Sequence, residues 1–78
     1  MQLTHAETIL LNNTFKIIGQ NIHKARMKRK FTLKKLSRLT GFNTETIDHF
    51  EMGRTKFGIT ELMKIAFALE VKPDSLLK

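Results

Sequence analysis

The sequence predicts an all-α domain, a compact set of five short helices preceded by a short extra N-terminal helix or arm. Three observations point there. Apolar residues recur at three- and four-residue spacing along most of the chain. Gly19, Gly41, Gly53, Gly58 and Pro73 stand singly between those stretches as punctuation, and no segment alternates with the period of two that a strand needs. With 78 residues there is material for one small core, so residues 15–78 are expected as the domain and residues 1–14 as the arm or short helix.

Each element has its own signal. Thr4 followed by Glu7 is a capping-box pattern, in which hydroxyl and carboxylate satisfy the free N–H groups of a helix start, and Ile9, Leu10 and Leu11 form an apolar patch behind it. From Phe15 the residues Phe15, Ile18, Ile22 and Ala25 line one face of the first core helix. Thr32 caps the second helix, Leu33 to Thr40, with Phe31 placed to staple onto Leu36. Gly41 ends it in the left-handed conformation. The device then repeats, with Asn43 as cap and Phe42 stapling onto Ile47, for a third helix from Thr44 to about Met52, stopped by Gly53. Ile59, Leu62, Met63, Ile65, Ala66 and Leu69 predict a strongly apolar helix, and Pro73 opens a last short one with Leu76 and Leu77. Met27, Met52 and Met63 are expected as core filler.

Composition narrows the function classes. No cysteine means no disulfide framework, no thiolate zinc site and no thiol chemistry, which fits a reducing cytoplasm. No stretch is apolar for the length a bilayer requires, and the first 13 residues lack a signal-peptide pattern, so a cytoplasmic protein without membrane partner is expected. His5, His23 and His49 fall into no ligand spacing, Glu45 and Asp48 have no concave site around them, and no Gly-rich phosphate loop or nucleophile elbow occurs. Neither metal, cofactor, small-molecule ligand nor enzyme activity is therefore expected.

The net charge of +7 is local. Lys24, Arg26, Lys28, Arg29, Lys30, Lys34, Lys35 and Arg38 crowd into fifteen residues without an acid, so that window carries +8 and the remainder of the chain −1. Such a block is the footprint of a polyanion partner: nucleic acid first, an anionic membrane surface second, with a merely solvated helix face as the bland reading.

Ser37, Gly41 and Ile47 lie at offsets 0, +4 and +10 within two short helices joined by a three-residue turn. Two helices crossing steeply need a small side chain at their approach, a left-handed residue at the corner and an apolar anchor beneath the second helix; this is the form of a DNA-binding helix-turn-helix. With Ile18, Gly19, Ile22, Arg26, Thr32, Leu36, Glu51, Gly53, Leu62, Lys64, Ile65, Ala66, Leu69 and Val71, the stretch from Ile18 to Leu77 resembles the Cro and phage-repressor (XRE) family, most closely its small controller or repressor type.

The resemblance implies a lambda-repressor-like fold, and a sequence-specific DNA-binding transcriptional regulator that acts as a homodimer on double-stranded DNA at a pseudo-palindromic operator. It also implies a structural pair between Arg26 and Glu51; Arg26, one turn after Ile22 on the apolar face, needs a carboxylate in any case. Helix N-terminal residues enter the groove first, which makes Asn43, Thr44, Glu45, Thr46, Asp48 and His49 the candidate base readers. Phosphate contacts are expected from Lys28, Arg29, Lys30, Thr32, the backbone of Leu33, Lys34, Lys35, Arg54 and Lys56. Leu33 departs from the family, which often carries Gln or Ser there. Glu45 and Asp48 depart too, since they place two acids on a helix meant for a phosphate-lined groove, and they keep open an alternative, a protein-interaction module such as an antitoxin.

Overall fold

The computed structural model describes residues 2–78, which form α1 (His5–Lys28), α2 (Leu33–Thr40), α3 (Thr44–Glu51), α4 (Ile59–Leu69) and a C-terminal 3-10 turn (Pro73–Leu77). No strand occurs among the described residues. The capping box is formed at both ends: Thr4 Oγ1 accepts from the Glu7 N–H at 3.1 Å, and Glu7 Oε1 accepts from the Thr4 N–H at 2.9 Å.

The two helices expected on either side of residue 14 are one. α1 runs unbroken for 24 residues, about 36 Å at the rise of an α-helix, which accounts for the 38 Å long axis of a molecule only 22 by 18 Å across. Asn12, Asn13 and Thr14 are weak helix formers, not breakers, and the Thr14 hydroxyl donates to the Leu10 carbonyl at 2.9 Å inside the helix. The five helical elements are therefore four α-helices and one 3-10 turn.

α1 ends in a Schellman motif. Lys30 takes the left-handed conformation (φ 59°) and the Phe31 N–H reaches back to the Arg26 carbonyl at 3.1 Å. This reversal delivers Thr32 as the cap of α2, its Oγ1 accepting from the Lys35 N–H at 3.0 Å. Gly41 (φ 83°) donates to Ser37 O at 2.9 Å and turns the chain; Ser37 Oγ donates to the Phe42 carbonyl; Asn43 Oδ1 then accepts from the Thr46 N–H at 2.7 Å to start α3.

The core is Ile18 and Ile22 of α1, Leu36 of α2, Ile47 and Phe50 of α3, Leu62, Ile65, Ala66 and Leu69 of α4, and Leu76 of the final turn. Phe42 sits edge-on against Phe50 at 5.7 Å, and Phe57 links Phe15 (5.3 Å) to Phe50 (4.9 Å), so the loop after α3 closes over the base of α1. Asn21 Nδ2 donates to the carbonyls of Leu76 (2.8 Å) and Lys78 (2.9 Å), which fastens the C-terminal turn to α1. The methionines are not core: Met27, Met52 and Met63 are all about half exposed, each lying one position past a buried residue and off the inward face of its helix.

Candidate nucleic-acid interface

What aims α3 is its contact with α1. Gly19 lies against the end of α3 so closely that a Cβ there would overlap the Phe50 carbonyl oxygen and stand 2.7 Å from that of Glu51. Only a residue without a side chain lets the two backbones meet. Two turns further along α1, Arg26 reaches the same point. Its Nε donates to Glu51 Oε2 at 2.6 Å, its second terminal nitrogen to Oε1 at 3.0 Å, and the first to the Phe31 carbonyl at 2.8 Å.

Arg26 and Glu51 are each 8% exposed, and this fork-to-carboxylate geometry satisfies both. Among the described residues no buried side-chain nitrogen or oxygen is left without a partner. The pair joins the C-terminus of α1, the C-terminus of α3 and the entry to α2, so it fixes the angle of α3 to the body. His23 is a third member that the sequence did not show: its Nδ1 lies 2.7 Å from Glu51 Oε1. The one available signal was its position three residues before Arg26, on the same side of α1.

With Ile47, Phe50 and Glu51 turned inward, α3 presents the opposite face to solvent. Asn43, Thr44 and Glu45 are exposed, Thr46, Asp48 and His49 half-buried, and Met52 exposed beside them. Asn43 spends its carbonyl oxygen on the cap. Met52 was missed as a candidate reader because a methionine reads as core in sequence; its half-exposed thioether ends the outward row and offers an apolar contact. Phe42, at the turn, carries Lys64 of α4 over its ring at 5.7 Å.

The start of α2 is open: Thr32 caps only the Lys35 amide, which leaves those of Leu33 and Lys34 without a side-chain cap at the positive end of the helix dipole. The Leu33 side chain packs against the core, so its contribution there is the backbone N–H.

A family model of the Cro/C1-type helix-turn-helix DNA-binding domain matches residues 21–78. The chain belongs to that family. As a Cro/C1-type domain it is a DNA-binding transcriptional regulator, and α2, the turn at Gly41 and α3 are its helix-turn-helix. Among solved structures it is similar to the restriction-modification controller protein C.AhdI from Aeromonas hydrophila, with 22% identity over 80% of this chain and 94% of that one and a TM-score of 0.77, which shows a shared fold. A comparison with curated proteins returns no match. No helix among the described residues is long and apolar enough to cross a membrane.

The basic residues of this Cro/C1-type domain divide into two groups. Lys34, Lys35, Lys28, Lys30, Arg54 and Lys56 are exposed, Lys34 and Lys35 in the first turn of α2 and Arg54 and Lys56 in the loop after α3. Arg29 is engaged elsewhere: it donates to the Leu69 carbonyl and to Glu70, both at 3.2 Å, and lies over the Phe31 ring at 5.2 Å, so it ties α1 to the end of α4. Arg26 belongs to the buried pair. The eight charges of the window are thus not one stripe, because two of them serve to hold the helices together.

Proposed function

We propose that the chain binds a pseudo-palindromic operator as a cytoplasmic homodimer, with α3 of each copy in the major groove and the first turn of α2 on the flanking backbone. The observation that carries this reading is the arrangement of α3: a helix fixed to the body by Gly19 and the Arg26–Glu51 pair, whose outward face is largely polar, in a chain that also has an open, lysine-flanked start to α2. Residues 15–78 form the DNA-binding body, and 1–14 lie outside it.

Thr44, Glu45 and His49 act as the main base readers, with Asn43, Thr46, Asp48 and Met52 at the edges of the footprint. Glu45 accepts from a cytosine N4 amino group, and Thr44 hydrogen-bonds a base edge or touches a thymine methyl. The acids on α3 weaken binding to arbitrary duplex and sharpen the choice of bases, while Lys34, Lys35, Arg54, Lys56 and the Leu33 and Lys34 amides supply affinity without sequence preference.

Selection of duplexes from a random pool by the purified chain, followed by anisotropy titrations at several salt concentrations, tests this. Two related half-sites about one helical turn apart are expected, with log K falling by about 0.9 per phosphate contacted. Glu45→Gln should relax the preference at one base pair in each half-site, whereas Lys34→Ala should weaken all sequences alike and reduce the salt slope by about one. Failure to enrich any sequence, with copurification of an unrelated chain instead, would favour the protein-interaction reading that exposed Glu45 and Asp48 leave open.

A further inference from the structure

We infer that the face shared by α2 and α4 is a docking groove for an acidic amphipathic helix of another protein. Two hollows of about 410 and about 350 Å³ adjoin there. Leu39, Thr40, Met63, Lys64 and Phe67 line the first, and the second shares Leu39 and Phe67 with it, so the two form one continuous groove. Its apolar floor is open to solvent: Leu39 and Met63 are each 49% exposed and Phe67 87%. Among the described residues none from α3 lines either hollow, so the groove is separate from the candidate base readers.

The rim identifies the chemistry of the occupant. Lys64 stands at one hollow and Lys35 and Arg29 at the other, against one acid, Glu70, which already pairs with Arg29 at 3.2 Å. All three cations lie over aromatic rings, Lys64 over Phe42 at 5.7 Å, Lys35 and Arg29 over Phe31 at 5.8 and 5.2 Å, which keeps them at the rim. An apolar floor between placed cations is complementary to apolar side chains flanked by carboxylates. A second copy set here about a two-fold axis would instead bring like cations together.

The walls decide its conformation. Both are helices, whose amides and carbonyls bond within themselves, and no strand edge occurs among the described residues, so an extended peptide finds no main-chain partner. A helix brings its own backbone hydrogen bonds. Met63 and Phe67 stand one turn apart on α4, as do Lys35 and Leu39 on α2, so each wall repeats at helical pitch. From Met63 to Glu70 the groove runs about 10 Å, or about two turns. That length takes two apolar side chains four residues apart, one to each hollow, with carboxylates beyond them.

Cations beside phenylalanines also suit single-stranded nucleic acid, whose bases stack on open rings. The arrangement here disfavours it. Phe31 already lies beneath Arg29 and Lys35, which leaves Phe67 as the open ring of the groove, and the floor beside it is the aliphatic Leu39 and Met63. An aromatic anchor set among aliphatic side chains is the composition of a protein-binding hot spot. A contact of two helical turns falls at the small end of specific interfaces, which sets a transient complex with a dissociation constant on the order of 10 μM.

The test needs no DNA, so it can fail independently of the function proposed above. Random peptides of about 14 residues, roughly four turns of helix, are displayed on phage and selected on the full chain. The enriched peptides are then labelled with fluorescein and titrated by anisotropy against the chain, Phe67→Ser and Lys64→Glu, with a circular dichroism melt of each. Expected are net-negative peptides with apolar residues at i and i+4, whose affinity falls at least about tenfold in Phe67→Ser and about threefold in Lys64→Glu while both variants melt like the parent. No enrichment, enriched peptides without an excess of acids, or peptides that bind Phe67→Ser as well as the parent would each overturn the assignment. An oligothymidylate whose binding depends on Phe67 when the peptides' does not would give the groove to single-stranded nucleic acid instead.

Discussion

The two halves of α1 belong to one helix and are held by different forces. Residues 18–28 bury Ile18, Gly19, Ile22 and Arg26 against α3, α4 and the C-terminal turn. Before them, no residue from 5 to 17 is buried and only Leu11 and Phe15 are intermediate in exposure, and Phe15 touches the body through Phe57. An isolated helix of that length is marginal in water. The first half persists because it propagates from a nucleus already formed in the second and is closed at its free end by a capping box. Continuity of hydrogen bonding can thus carry a helix well past the last contact that stabilises it.

The largest effect that separates the halves should come from Arg26. Arg26→Met leaves the Glu51 carboxylate buried and uncompensated, at a cost of about 3–5 kcal/mol, a large share of what a domain of this size has; thermal or urea melts should show most of the stability gone. Replacing both partners, Arg26→Met with Glu51→Leu, should recover much of it, because no lone charge then remains. A double variant no better than the singles would mean that Phe31 and His23, not the pair itself, carry the energetic weight.

Gly19→Ala comes next. The methyl would meet backbone carbonyl oxygens that have no rotamer to give, so α3 must shift; overpacking of this kind costs about 1–3 kcal/mol. Because the shift falls on the helix proposed to enter the groove, the same variant should lose affinity for the selected operator by more than its loss of stability explains, as read by anisotropy under conditions where it remains folded.

The smallest effect lies in the outer half. The Glu7 carboxyl is held below its ordinary value of 4.5, first by the hydrogen bond from the Thr4 backbone N–H and then by that with its hydroxyl. A group lowered in the folded chain stabilises it while ionised. That contribution is complete above the unfolded value and is lost as pH falls through the lower folded one. Protection of the first-turn amides of α1, measured against their intrinsic exchange rate at each pH, should therefore fall on acidification below about pH 4.5, and in Thr4→Ala at neutral pH, while protection at Ile18 to Arg26 stays unchanged.

How much of this was legible in the chain follows the range of the interaction. Caps and corners were: Thr4 with Glu7, Thr32, Asn43, Gly41 and Pro73 all act within four residues of themselves, and each occupies the position its chemistry requires. The break expected before Phe15 has no terminator in the sequence, since neither Gly nor Pro stands there, and the helix runs through. The site divides in the same way. The row on α3 could be numbered from the cap and the helical period, whereas the membership of His23 with Glu51, 28 residues away, could not. Nor could the diversion of Arg29 to Glu70, because in sequence it is one more cation in a basic run.

Local order, helix ends and the polarity of each face are short-range matters of hydrogen bonding and period, and the amino-acid order is sufficient for them. Where α3 points, which of eight cations remain free, and why methionines placed among core residues stand in water depend on how the helices cross. That crossing is set by a backbone contact at Gly19 and a buried ion pair between residues 25 apart, interactions that exist only once the chain has closed on itself.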